Sequence, residues 1–102
     1  MGASRATIEG AVKPSVSKAI HGVVTKRLGR FGLRDVEIRP GVDHDGDPVL
    51  YVTVHYAPRG RPLPKGTTFW LLSEVRDVLL KLGESRFPHV RHEFPERQRA
   101  AG

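Results

Sequence analysis

Two alternating runs of apolar residues, joined by a turn rich in aspartate, constrain the fold of this chain most strongly. In segment 35–39 the apolar residues Val36 and Ile38 occupy every second position, which is the period of a strand with one buried face. The run 49–56 is rich in β-branched and aromatic residues. Its apolar side carries Leu50, Val52, Val54 and Tyr56. Between the runs, Asp45-Gly46 is a strong hairpin signal because glycine accepts a positive φ. The sequence therefore predicts a β-hairpin, with Pro40 and Pro48 marking where ladder bonding stops.

Apolar residues at helical spacing lie on both sides of this hairpin. The first predicted helix starts at Pro14 and ends at Gly29 or Gly32, and its apolar stripe consists of Val16, Ile20, Val23, Val24 and Leu28. The second predicted helix is expected to be capped by Thr67 or Thr68 and to end at Gly83. Its apolar stripe consists of Leu71, Leu72, Val75, Val78, Leu79 and Leu82. Segment 86–94 alternates again, and its Pro88 is typical of an edge strand.

This order predicts an α+β fold, an αββαβ two-layer sandwich in which two helices cover one face of a three-stranded mixed sheet. The opposite face of the sheet is expected to be open. It would carry Asp35, Glu37, Arg39, Tyr51, Thr53, His55, His89, Arg91 and Glu93. We expect one domain at residues 14–94, a flexible N-terminal arm at 1–13 and a disordered C-terminal tail at 95–102.

Composition excludes several classes of protein. The absence of cysteine excludes a disulfide scaffold, a thiolate nucleophile and cysteine-ligated zinc. No apolar run is long enough to span a membrane, and no signal-peptide segment is evident, so we expect a cytoplasmic protein without a membrane partner. The formal net charge is +6, but an acidic hairpin region, with two basic and five acidic side chains in residues 34–58, lies inside a basic chain. A basic balance favours contact with nucleic acid or acidic protein surfaces, although it also serves solubility.

Three apolar residues of the second helix lie away from its core stripe. Phe69 and Leu80 fall about 120° to 140° from the core direction, and Trp70 falls on the far side of the helix. One stripe suffices to pack a helix on a sheet, so these residues need another contact. Either a loop or terminus covers them, or they anchor a protein partner or a second copy of the chain.

A nucleic-acid surface is the rival interpretation. Arg59, Arg61 and Lys65 precede a helix N-terminus that attracts anions, and Trp70 follows one turn later. Basic groups beside an aromatic ring suit a nucleic-acid backbone with base stacking. The open sheet face offers a second platform. Its candidate contacts are Tyr51, His55, His89 and Arg91.

Metal binding and catalysis have weaker signals. Asp43, Asp45 and Asp47 could bind a divalent cation such as Ca²⁺ or Mg²⁺, but the glycine and glutamate positions of a calcium loop do not match. The alternative is a turn whose aspartates bond their own backbone. Histidines could ligate zinc or act as acid and base. His89 and His92 are three apart on a predicted strand and should face opposite sides, so they should not share a site, whereas His55 could lie beside His89. No serine lies in a nucleophile motif and Lys65 precedes Gly66, which breaks the phosphate-loop pattern, so we expect neither an enzyme nor a bound cofactor.

An Arg-Pro element at Arg39-Pro40 is followed by the turn Asp-His-Asp-Gly-Asp-Pro at 43–48, and Arg86-Phe87-Pro88 comes later. This pattern, over about half of the chain, resembles a family of small uncharacterised bacterial proteins without a settled activity. The resemblance implies an architecture and no mechanism. The element order is also similar to type II KH-like and BolA-like domains, although the KH Gly-x-x-Gly loop and the BolA cysteine or histidine pattern are missing.

Taken together, these features predict a non-enzymatic binding module that acts through protein–protein interaction or self-association. The alternatives are an RNA- or DNA-binding module and a divalent-metal-binding protein.

Overall fold

The computed structural model describes residues 11–58 and 62–95. Helix α1 (Pro14–Leu28) is followed by a short 3-10 turn (Gly29–Phe31) and by strands β1 (Leu33–Val42) and β2 (Pro48–Tyr56). Helix α2 (Thr67–Lys81) and strand β3 (Phe87–Glu93) complete the order. The predicted αββαβ order is therefore confirmed.

The three strands form one mixed sheet with β2 in the centre. β1 pairs antiparallel with β2, and β3 pairs parallel with β2 on its other side. The register places Glu37 opposite Thr53 and Thr53 opposite Arg91, whereas Val52 lies opposite Ile38 and Val90. Since side chains alternate between the faces of a sheet, the polar and apolar sets lie on opposite sides.

Both helices cover the apolar side of this sheet, as predicted. Their buried residues join those of the strands in one cluster. The cluster consists of Val16, Ile20, Val24, Leu28, Val36, Leu50, Val52, Val54, Tyr56, Leu71, Val75 and Leu79. Every one of them belongs to a stripe that period 3.6 or period 2 identifies in the sequence.

Two local predictions were wrong. Pro40 does not end the ladder, because β1 continues through it to Val42 and Pro40 pairs with Leu50. β1 is an edge strand, where a missing amide donor is tolerated. Neither threonine caps α2. Gly66, with φ 80°, holds the N-cap position without a side-chain cap bond, and the Thr67 hydroxyl donates to the Pro64 carbonyl instead.

The ends of the described chain contact the domain. The Ala11 carbonyl accepts a hydrogen bond from Arg86 Nη2 at 3.1 Å, and Val12 packs against the core cluster. Phe94 stacks on Tyr56 with ring centroids 4.5 Å apart. The rest of the predicted arm (1–10) and of the predicted tail (96–102) lies outside the described residues. None of the helices in residues 11–58 and 62–95 combines the length and apolarity needed to cross a membrane.

Candidate functional site

The three apolar residues predicted to contact a partner are all exposed on α2. Phe69 is 72% exposed, Trp70 is 62% exposed and Leu80 is 67% exposed. None of them is covered by another described segment of the chain, so the apolar contacts they could make remain available.

The helix divides these residues between two surfaces. Phe69 and Leu80 are eleven positions apart, which places them within about 20° of each other around the axis and about 16 Å apart along it. Trp70 lies about 100° from Phe69 by the same geometry, although the two rings meet edge to face at 6.5 Å. Phe69 and Leu80 therefore share one face of α2, and Trp70 belongs to another.

The face with Phe69 and Leu80 also presents the exposed residues Ser73 and Arg76. We call these four residues the outer stripe of α2. The Arg76 guanidinium lies over the ring of Phe87, 5.0 Å from its centroid, and Phe87 itself is exposed at the start of the edge strand β3. The stripe thus continues onto the edge of the sheet and combines apolar ends with a polar middle.

Trp70 lines a groove between the C-terminal end of α1 and the start of α2. Four basic residues, Lys26, Arg27, Arg30 and Lys65, line the same groove, which has a volume of about 430 Å³. The remaining lining residues are Leu28, Phe31, Pro64, Thr67 and Leu71. We call this the basic groove. Within residues 11–58 and 62–95 no acidic residue lines it, although Glu74 nearby forms an ion pair with Arg27.

The predicted nucleic-acid contacts do not form one surface. Lys65 lies in the basic groove on the helical side of the molecule, and Arg59 and Arg61 lie outside the described residues. The other predicted contacts are on the opposite side, on the open face of the sheet. They are Tyr51, His55, His89 and Arg91.

The open face of the sheet has the composition that period two predicts. It carries three carboxylates, Asp35, Glu37 and Glu93, against two guanidinium groups, Arg39 and Arg91. Among the described residues of this face the carboxylates outnumber the permanent cations, which does not favour binding of a phosphate backbone.

Several side chains of this face also contact one another. His55 Nε2 lies 3.2 Å from Glu37 Oε1, and Arg39 forms an ion pair with the same carboxylate. The hydrogen bond from His55, assisted by Arg39, holds the pKa of the Glu37 carboxyl below its usual value. Tyr51 stacks on His89 with centroids 5.6 Å apart. His55 and His89 do share the open face, but each has a different partner there.

The acidic turn is organised by its own backbone. Asp43 Oδ1 accepts hydrogen bonds from the amides of Asp45 and Asp47, each at 2.9 Å, and Gly46 has φ 87°. This is the backbone-bonded alternative for the turn. Among the described residues, no three histidine, aspartate or glutamate side chains are gathered closely enough to hold a metal ion. The geometry therefore lends no support to a cation at Asp43, Asp45 and Asp47.

His92 takes part in a polar network inside the helix-covered side. Its Nδ1 lies 2.8 Å from the Tyr56 hydroxyl, and its Nε2 lies 2.8 Å from the Thr68 hydroxyl. Burial lowers the pKa of His92 and raises the pKa of Tyr56 to about 12. His89 and His92 face opposite sides of β3, as their spacing predicts, because they pair with Tyr51 and Val54.

Sequence reasoning missed three residues of the basic groove: Lys26 and Arg27 at the end of α1, and Arg30 in the 3-10 turn. Basic side chains are favourable at the C-terminal end of any helix, so their position alone indicates no site. The signal that could have found them is their clustering around Gly29, at the end of a helix where the chain must turn back toward the sheet. It identifies a basic cluster but not its neighbour, Lys65, which is distant in sequence.

Comparison of the chain with protein-family models gives no match, and comparison with curated protein sequences likewise finds no similar protein. The resemblance to small bacterial proteins therefore stays a hypothesis. Function has to be inferred from the two surfaces of α2.

Proposed function

We propose that this protein is a small non-enzymatic binding module that associates with a second copy of itself through the outer stripe of α2. The observation that carries the proposal is that Phe69 and Leu80 lie on one azimuth of the helix and are 72% and 67% exposed. Large apolar side chains in such positions are typical of protein interfaces.

The spacing of the outer stripe favours a second copy over an unrelated partner. The four positions 69, 73, 76 and 80 are separated by four, three and four residues, and this pattern reads the same in both directions. A two-fold axis between positions 74 and 75 would therefore place Phe69 against Leu80 of the second copy, and Ser73 against Arg76. A two-fold interface requires this kind of self-complementarity.

Charge is compatible with this arrangement. Arg76 is the only charged member of the stripe, and its guanidinium is directed over the Phe87 ring. The antiparallel pairing brings it opposite a serine, so the stripe does not place two arginines directly against each other. The apolar ends then supply the association energy and the polar middle sets the register.

The size of the expected effect follows from the exposed area. Truncating Leu80 to alanine removes roughly 1–2 kcal/mol of burial free energy per copy. Because a two-fold dimer has Leu80 at the interface in both copies, this loss occurs twice. Leu80→Ala should therefore weaken the dimer by about 2–4 kcal/mol, or roughly 30- to 1000-fold in the dissociation constant. Phe69→Ala should act in the same direction.

Sedimentation equilibrium over a range of protein concentrations tests the proposal. We expect the wild type to associate reversibly and Leu80→Ala to shift toward monomer, with equal thermal stability at dilutions where both proteins are monomeric. Val42→Ala is a matched control, because Val42 is 62% exposed but lies at the end of β1. A wild-type protein that stays monomeric up to millimolar concentration, or a control that dissociates equally, would overturn the proposal.

Cross-linking tests the register separately. The chain has no cysteine, so introduced thiols have no competing partners. A mixture of Ser73→Cys and Arg76→Cys proteins should form the mixed disulfide faster than either variant forms a disulfide alone. Equal rates in all three samples would contradict the antiparallel arrangement.

A further inference from the structure

The basic groove offers a binding surface that the outer stripe does not use. It lies on a different face of α2, and three of its cations come from α1 and the 3-10 turn that follows it, so its ligand is independent of the proposed self-association. We propose that the basic groove binds single-stranded nucleic acid, with Lys26, Arg30 and Lys65 contacting phosphates and Trp70 stacking on a base.

The first support is electrostatic. Four basic side chains converge on one groove, and none of the described residues that line it is acidic. Arg27 is already paired with Glu74, whereas Lys26, Arg30 and Lys65 form no ion pair with any residue of the described chain. Three uncompensated cations within one concave surface favour a ligand with several negative charges over a singly charged one.

The start of α2 adds to the same field. The first turn of the helix holds no acidic residue and its N-cap Gly66 provides no side-chain bond, so the positive end of the helix dipole is not neutralised. The groove therefore combines fixed charges with a helix terminus of the same sign.

The second support is the aromatic ring. Trp70 lines the groove but is 62% exposed. Its indole packs close to Gly66: a side chain added to that glycine would place its Cβ 3.7 Å from the indole, in van der Waals contact. The indole thus covers the Gly66 turn and leaves its other surface free. An exposed indole among cations suits a ligand that alternates phosphates with flat bases, which is the chemistry of a single strand.

The open sheet face is a poorer candidate for the same ligand. Its described carboxylates outnumber its described guanidinium groups, and His55 and Arg39 both contact Glu37. A duplex is also a poorer ligand for the groove, because its bases are already stacked on each other and cannot lie on the indole.

The experiment is an anisotropy titration of a labelled 15-nucleotide oligouridylate, with oligothymidylate, a duplex and inorganic polyphosphate as the other probes. Release of counterions from three phosphates predicts a slope of log K against log salt of about −2, and hence roughly a 20-fold loss between 50 and 200 mM salt. Trp70 is the only tryptophan of the chain, so its intrinsic fluorescence should be quenched as a base stacks on it.

Variants separate stacking from charge. Trp70→Ala should weaken binding by roughly 5- to 150-fold, and Trp70→Phe, which keeps a ring, should retain more of it. Lys26→Glu and Lys65→Glu should each weaken binding and flatten the salt slope. Lys18→Glu is the matched control, because it makes the same change of charge on the exposed surface of α1 outside the groove. We expect it to retain nearly wild-type affinity.

Each outcome decides the proposal. Tighter binding of either single strand than of the duplex and polyphosphate, with loss in Trp70→Ala, supports it, and the two oligonucleotides then distinguish RNA from DNA. No binding at 20 mM salt overturns it. Equal affinity for polyphosphate, without an effect of Trp70→Ala, also overturns it and would show a general polyanion surface. Because Leu80 does not line the groove, Leu80→Ala tests self-association without changing the proposed nucleic-acid site, and failure of self-association would not affect this result.

Discussion

The hydrogen-bond network around His92 allows a quantitative prediction about stability. His92 connects β3 to the buried Tyr56 of β2 and to Thr68 at the start of α2, with both distances 2.8 Å. In neutral imidazole one nitrogen donates and the other accepts, so the two hydroxyls satisfy both nitrogens in either tautomer. A protonated His92 would have two donors and no acceptor, so neither the Thr68 hydroxyl nor the Tyr56 hydroxyl, on a residue that is 1% exposed, could donate to it.

The pH dependence follows from the sign of the shift. Burial lowers the pKa of His92 in the folded protein below the value of 6.5 that applies to the unfolded chain. The unfolded state therefore takes up a proton first as the pH falls. The contribution of His92 to stability is fully present above pH 6.5 and is lost as the pH falls from there through the folded pKa. The slope is at most about 1.4 kcal/mol per pH unit.

Substitution has a separate cost. His92→Ala removes two hydrogen bonds and leaves the Tyr56 hydroxyl without its imidazole partner, which together should cost about 2–4 kcal/mol of unfolding free energy. Urea denaturation of the wild type and of His92→Ala at several pH values from 7.5 to 5 measures both effects. The difference between the two proteins should shrink as the pH falls, because only the wild type loses the histidine contribution. A difference that stays constant over this range would refute the assignment of a neutral, half-buried His92.

Three further predictions concern stability, measured by urea denaturation. Gly41→Ala should destabilise the hairpin by about 1–3 kcal/mol, because its Cβ would meet the Tyr51 ring, and Tyr51→Ala should relieve the loss. Asp43→Ala should cost about 1–2 kcal/mol through its two lost amide hydrogen bonds, with no dependence on added Ca²⁺ or Mg²⁺. Glu84→Gln should cost about 1–3 kcal/mol, because Arg86 donates to both of its oxygens. The hydrogen bond from Arg86 lowers the pKa of Glu84, so this contribution should be present above pH 4.5 and be lost as the pH falls through the folded pKa.

The two proposed surfaces place different demands on α2. Phe69 and Leu80 lie on the side of α2 that faces the β3 edge. Trp70, together with Lys65 just before the helix, lies on the side that faces α1. A dimer formed through the outer stripe would leave both basic grooves accessible. The dimer would then present two copies of the groove to one strand, which increases avidity when the strand can span both.

The order of elements, most of the core and the two faces of the sheet were predictable from residue periodicity alone; Val49, buried although it lies off the apolar side of its run, was not. Val36, Val52 and Val54 follow period two, and Val16 and Val75 belong to stripes of period 3.6, so each periodicity identified the buried side without knowledge of the neighbours. The exposure of Phe69 and Leu80 was predictable for the same reason, because they lie off the stripe that α2 needs for packing.

Which surface residues become neighbours depends on how the elements pack, and periodicity does not reveal it. The groove joins Lys26 and Arg30 to Lys65 and Trp70 across more than thirty residues of sequence, and it separates Lys65 from the sheet-face contacts proposed with it. His92 likewise lies on the apolar side by its period, but its two hydroxyl partners come from β2 and α2. Local periodicity fixes the direction of a side chain relative to its own element, whereas the packing of elements distant in sequence fixes which side chains become neighbours.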